Sequence, residues 1–168
     1  ARVKAGQVSQ DLISGEDITP TCLAAAGAAS TPEMTGRSFL GALTGAARDA
    51  YKPREAIFGA RLDHGGAPFT PNTKASTFDL SRCVRTPRWK LIYNCTPHME
   101  YQPVDSSRDP GWMQVLSLHQ EGKLQPDWER IYFGKRPVVE LYDLQRDPAE
   151  MTNLAGKPEH AAIVTACQ

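Results

Sequence analysis

The sequence predicts an α+β fold: one small antiparallel sheet of about four strands, with helices segregated from it rather than alternating with it. Two observations carry that expectation. Short runs with period-two alternation recur along the chain, and two of them meet around a Pro-containing turn, which makes a hairpin. Elsewhere apolar residues fall at helical spacing, and no repeat or low-complexity tract divides the 168 residues into more than one unit.

In chain order, "VSQDLISGEDITPTCLAAAGA" is apolar at Leu12, Ile13, Ile18, Cys22, Leu23 and Ala26. Proline is tolerated in a first helical turn, so Pro20 fits a helix that starts near Asp17 to Thr19 and ends at Gly27. "STPEMTG" is a loop, and "RSFLGALTG" gives one or two helical turns stopped by Gly45. "REAIFGARL" puts Ala56, Phe58 and Ala60 on one side and Ile57 on the other, a strand near Glu55 to Arg61. A loop rich in Gly, Pro, Asn and Thr runs from Gly65 to Thr77.

"FDLSRCVRTPRWKLIYN" is the hairpin, Ser81 to Thr86 and Arg88 to Asn94, with Trp89, Leu91 and Tyr93 alternating with Lys90 and Ile92. After an irregular stretch, "GWMQVLSLHQEGKL" restores helical spacing through Trp112, Val115, Leu116 and Leu118, a helix near Trp112 to Glu121. "WERIYFGKRP" reads as an aromatic and basic connector. "VVELYDL" is the last strand, Val138 to Leu144, with Tyr142 able to present its hydroxyl at an edge.

Composition narrows the function classes. With 40% hydrophobic and 23% charged residues the chain should fold, and 19 basic against 19 acidic side chains leave no long-range field for nucleic acid or an anionic membrane. No run approaches the ~20 apolar residues of a membrane span. The first residues, "ARVKAGQVSQ", lack an initiator Met and a signal-peptide core, and "KPEHAAIVTACQ" begins a helix that stops after barely two turns, so the sequence reads as cut from something longer. Cys22, Cys83, Cys95 and Cys167 show neither CxxC spacing nor paired His ligands, which argues against a zinc ribbon or finger.

One run, "VVELYDLQRDPAEMTNLAG", carries more than a strand. Asp147 before Pro148 suits a helix N-cap followed by N1, so a turn leads into a short helix, Ala149 to Leu154, closed by Gly156, with Asn153 bonding at its C-terminus. The run resembles the sulfatase family, whose C-terminal subdomain ends in a stretch of the form ELYDLxxDPxExxNLA. Glu140, Leu141, Tyr142, Asp143, Leu144, Asp147, Pro148, Glu150, Asn153, Leu154 and Ala155 fill every fixed position. "SRCVRTPRWKLIYN" is similar to the family's strand pair R-x-V-R-T-x-x-(aromatic)-K-L-I-x-N, and Asp17, Pro20, Thr21, Ala26 and Gly27 match its segment in which an Asp and a Pro-Thr pair open a helix. The stretches come in the family's order and span nearly all of residues 1–168, which the resemblance makes a single C-terminal subdomain. "AIFGARLDH" and "WERIYFGKRPVVELYD" look most like the sulfamidases, or heparan N-sulfatases.

The resemblance implies hydrolysis of sulfate esters or sulfamates by a formylglycine made in a C/S-x-P-x-R motif beside a calcium ion, both in an N-terminal domain. Neither is expected in this chain. "CTPHM" has Met99 where that motif needs Arg, "STPEM" fails likewise, and Asp105 and Asp109 beside Arg108 read as solvated charges. The chain alone should be inert, its partners being its own N-terminal domain and a sulfated small molecule or glycan. The family suggests a periplasmic, secreted or lysosomal setting.

Three residues stand as substrate-binding candidates. Asp63 and His64 follow the first strand, where the family's pocket would face them; His can donate to a sulfated sugar and Asp can accept from a hydroxyl or amine. Arg82, read with Arg85 as pointing to one face, has a planar fork that suits a sulfate or carboxylated sugar, and equally an ion pair with Asp79 or Glu140. "NCT", Asn94 to Thr96, is a glycosylation sequon. Two other readings share these residues: a phosphodiesterase or phosphonate hydrolase of the same superfamily, and a non-catalytic module that binds anionic glycans.

Overall fold

The computed structural model describes residues 3–45, 51–62, 79–99 and 109–167. Its centre is a four-stranded antiparallel sheet in sequential order, made of β1 (Ile57–Arg61), β2 (Ser81–Arg85), β3 (Trp89–Asn94) and β4 (Val139–Asp143). The α+β expectation holds, and the strands fall where alternation put them. Thr86 closes the β2–β3 hairpin twice: its N–H donates to the Trp89 carbonyl at 2.8 Å and its Oγ1 accepts from the Trp89 N–H at 2.9 Å.

Register decides the core. Val84 lies opposite Leu91, and Leu91 opposite Leu141, so one face of the sheet carries a row of aliphatic side chains; Leu141 is wholly buried. Onto this row pack Ile163, Val164 and Cys167 of α5 (Ala161–Cys167), reached through a 3-10 turn at Pro158–His160. Positions 163, 164 and 167 recur at helical i, i+1 and i+4, one stripe facing the sheet. Each such side chain contributes about 1.5–3 kcal/mol on burial, so truncating Leu141 to Ala costs about 2–5 kcal/mol.

The segment 145–157 departs from expectation. No helix forms over 149–154. Glu150 takes φ +57°, which a right-handed helix cannot include, and its carboxylate accepts from Lys90 at 2.6 Å. Asp147 acts as a turn residue instead of a helix cap, its Oδ2 accepting from the Thr152 N–H at 2.7 Å. Asn153 then behaves like a peptide group laid along β4: its Oδ1 accepts from the Leu141 N–H at 3.0 Å and its Nδ2 donates to the Val139 carbonyl at 3.1 Å. The Leu154 N–H continues the pairing to the Leu141 carbonyl at 2.8 Å, so the outer margin of β4 is satisfied without a fifth strand.

The flanking helices are α1 (Ile18–Ala25), α2 (Leu40–Thr44), α3 (Pro110–Gln120) and α4 (Pro126–Tyr132). A 3-10 turn at Gly15–Asp17 leads into α1, and Gly45 ends α2 at φ +74°, both near the positions read from sequence. α4 occupies the stretch read as a connector. Pro126 sits in its first turn after an extended Gln125, and Trp128 and Tyr132 lie one turn apart, which gives the helix an aromatic stripe against α3.

Candidate functional site

The face of the sheet turned away from α5 carries Asn94 on β3 and Glu140 and Tyr142 on β4. Residues 130–137 and 149–153 wall a cleft of about 560 Å³ over it. Asp79, 6% exposed, accepts from Arg136 Nη1 at 2.7 Å and lies 3.4 Å from Arg61 Nη1. The other arm of Arg136 donates to Asn94 Oδ1 at 2.8 Å. Asn94 in turn donates from Nδ2 to the Pro137 carbonyl at 2.8 Å and to Glu140 Oε1 at 2.5 Å. The Tyr142 hydroxyl donates to the remaining oxygen of Glu140.

Burial, reinforced by the hydrogen bond to Glu140, pushes the Tyr142 hydroxyl well above the usual phenol range. It stays a neutral donor. Among the described residues no buried side-chain polar atom lacks a partner, so this network is satisfied internally and pins the Arg136–Pro137 segment to the sheet. Two readings change here. Tyr142 is buried on a sheet face rather than displayed at an edge, and Asn94, 2% exposed with its amide committed, is no acceptor for a glycan in this fold.

A second polar centre sits ahead of α1. Asp17, 3% exposed, accepts from Arg54 Nε at 2.8 Å and from Arg54 Nη2, from the Arg37 N–H at 2.7 Å and from the Ser14 N–H at 3.0 Å. Arg54 also reaches Glu16 Oε1 at 3.0 Å. The Arg54 hydrogen bonds hold the Asp17 carboxyl far below the usual carboxylate range against the opposing effect of burial. Thr21 Oγ1 donates to the Asp17 carbonyl at 2.7 Å and accepts from the Phe39 N–H at 3.0 Å. The Asp and Pro-Thr residues singled out in the sequence thus tie α1 to the segment that enters α2.

Of the substrate-binding candidates, Asp63 and His64 lie outside the described residues. Arg82 is exposed on β2, opposite Ala60 and Tyr93, and lines a shallow pocket of about 380 Å³ with Phe58, Tyr93 and Cys167. Among the described residues no carboxylate pairs with it; Asp79 takes Arg136 and Arg61, and Glu140 takes Asn94 and Tyr142. Arg82 and Arg85 do not share a face. Three residues apart on a period-two strand, they point to opposite sides.

The residues that hold the polar cleft together, Arg136 above all, carried no sequence signal beyond being basic, because Arg136 and Asp79 are 57 positions apart. Among the described residues no three His, Cys, Asp or Glu side chains come together as metal ligands, so they do not fit the calcium implied by the resemblance. Nor do the described contacts pair a nucleophile with a base. The arrangement can bind and position; it does not contain a reaction centre.

No family model matches the chain. Over 161 residues, 95% of the chain, it is 33% identical to an ulvan-active sulfatase of Formosa agariphila, of which it spans 24%. It is 30% identical to the human N-sulphoglucosamine sulphohydrolase over 95% of its own length and 31% of that protein. The chain therefore spans about a quarter to a third of the length of the curated relatives it matches. Among solved structures, a 2-O GAG sulfatase superposes over 99% of the chain and 26% of its own, with a TM-score of 0.60 at 20% identity. A phosphonate monoester hydrolase from Silicibacter pomeroyi superposes over 98% and 25%, with a TM-score of 0.54 at 21% identity. These two likenesses are likenesses of fold.

Proposed function

A relative of sulfatases along nearly all of its length, the chain is, we propose, the C-terminal subdomain of an enzyme that hydrolyses sulfate esters or sulfamates, with N-sulfated glucosamine of heparan-type glycans as one substrate class. The observation that carries this reading is the run from Val138 to Gly156. Its ELYDL, DP and NLA residues are the ones that build β4, the Asp147 turn and the Asn153 pairing, so the motif is spent on placing α5 on the sheet.

Formylglycine and calcium belong, in this proposal, to the N-terminal domain, which supplies the nucleophile and the cation for the sulfate oxygens. The subdomain packs against that domain and lends residues to the pocket rim. Arg82 offers a planar guanidinium to a sulfate or carboxylate, His64 a donor to a sulfated sugar, and Asp63 an acceptor for its hydroxyl or amine. The phosphonate hydrolase shares the fold, which does not carry a reaction, whereas the sequence similarity runs to sulfatases.

Two measurements test the proposal. The 168-residue chain alone should not turn over an aryl sulfate; calcium-independent turnover abolished by Cys95→Ala would overturn it. The coding sequence upstream of Ala1 should contain C-x-P-x-R followed by an Asp-Asn pair. A stop codon or an unrelated domain there would instead favour a stand-alone glycan-binding module.

A further inference from the structure

Between α3 and α4 lies a second cleft, of about 700 Å³, that shares no lining residue with the polar cleft on the sheet. Its wall is aromatic. Trp128 is 47% exposed, Tyr132 follows one helical turn later, and the buried Trp112 closes the floor. These rings are held in place: Trp112 meets Tyr132 edge-on at 5.5 Å and stacks on Phe133 at 6.0 Å, and Phe133 stacks in turn on His119. A flat aromatic wall is thus formed before any ligand arrives.

The rim is polar and of one sign. Gln114 and Gln125 offer amides, and Lys123 is the one charged side chain among the residues that line the cleft. Its ammonium lies 2.9 Å from Glu121, but the two side chains are 69% and 48% exposed. An exposed pair of that kind contributes little and can yield to a stronger anion. Flat apolar rings suit the C–H face of a pyranose, amides suit its hydroxyls, and the ammonium suits a sulfate.

We propose that this cleft binds one or two sugar residues of a sulfated polysaccharide, as an accessory contact separate from the pocket in which sulfate is cleaved. Its volume falls within the roughly 300–1,000 Å³ of ordinary ligand sites. The proposal rests on the sulfatase reading only for the sulfate on the ligand. Its test reads binding and not turnover, so the two can fail separately.

The experiment is a titration of tryptophan fluorescence of the full 168-residue chain with a size-defined heparin hexasaccharide and its desulfated counterpart. A saturable change is expected with the sulfated probe, and a much weaker one with the desulfated probe. Trp128→Ala should weaken binding about tenfold, equivalent to ~1.4 kcal/mol. Lys123→Gln, on the exposed rim, should weaken binding of the sulfated probe only; it carries the test if Trp128→Ala lowers the melting temperature. Absence of saturation, or wild-type affinity in both variants, overturns the proposal. So does a concentration-dependent dimer in sedimentation velocity that gives the same fluorescence change, since a second copy would then be the occupant.

Discussion

Replacing Asp17 by Ala tests how the motif residues ahead of α1 act. The side chain accepts hydrogen bonds from both arms of Arg54 and from the backbone N–H groups of Arg37 and Ser14, at 3% exposure. Removing one partner of a buried pair costs about 3–5 kcal/mol, because the other charge is left uncompensated. Glu16, still 3.0 Å from Arg54, places the expected loss at the lower end of that range. For a chain of this size ~3 kcal/mol lowers the melting temperature by roughly 6–12 °C, readable by circular dichroism. Asp17→Asn keeps one acceptor oxygen and should lose about 1–3 kcal/mol.

The same pair predicts a pH dependence. In the unfolded chain Asp17 takes up a proton near pH ~4, whereas in the fold Arg54 keeps it ionised well below that. Its contribution is therefore complete above that pH and is lost as the pH falls further. Asp17→Asn should flatten this acid limb. A double-mutant cycle with Arg54→Met should show strong coupling. Additive losses, or a loss below ~1 kcal/mol for Asp17→Ala, would refute the reasoning.

Three further outcomes follow from the geometry. Tyr142→Phe removes the hydroxyl bonded to Glu140 and should cost about 1 kcal/mol at neutral pH. Because the folded Tyr142 ionises above the ~10 of an unfolded tyrosine, its contribution is present below that pH and lost as the pH rises beyond it; identical alkaline limbs for both proteins would sink the assignment. Gly36→Ala would set a Cβ 1.9 Å from the Glu16 carbonyl oxygen, so the backbone must shift at a cost of about 1–3 kcal/mol, and a wild-type melting temperature would contradict this. In the intact enzyme, His64→Ala should lower activity on a sulfated sugar far more than on a small aryl sulfate, since a lost subsite contact of ~1–3 kcal/mol affects only substrates that reach it. Equal losses on both would point to the chemical step, and none on either to a surface residue.

The sheet was legible because period-two alternation is strong where one face is buried: Leu91 and Leu141 sit where the pattern put them. α4 was not, because Pro126 and the aromatic residues after it fit a loop as well as a first turn, and packing against α3 decides between them. Asp147-Pro148 was misread for a related reason. The pair suits a helix entry, yet Glu150 turns left-handed and the chain runs back along β4. The polar cleft depended on partners distant in sequence, such as Arg136 with Asp79 and Asn94, which local pattern cannot see. For Arg82 the residue was legible, but its facing required counting three positions along a strand.

The side chain of Asn153 has a consequence for tolerated length changes. By gripping Val139 and Leu141 at once it re-zeroes the chain on β4, so whatever path residues 145–152 take, α5 starts from the same place. Insertions and deletions before Asn153 should therefore be absorbed in the turn, while one added residue between Leu154 and Pro158 would rotate the helix by about 100° and swing Ile163 and Val164 off the sheet. A linker graft, an epitope tag or a natural indel has a permissive window on one side of this asparagine and a forbidden one on the other.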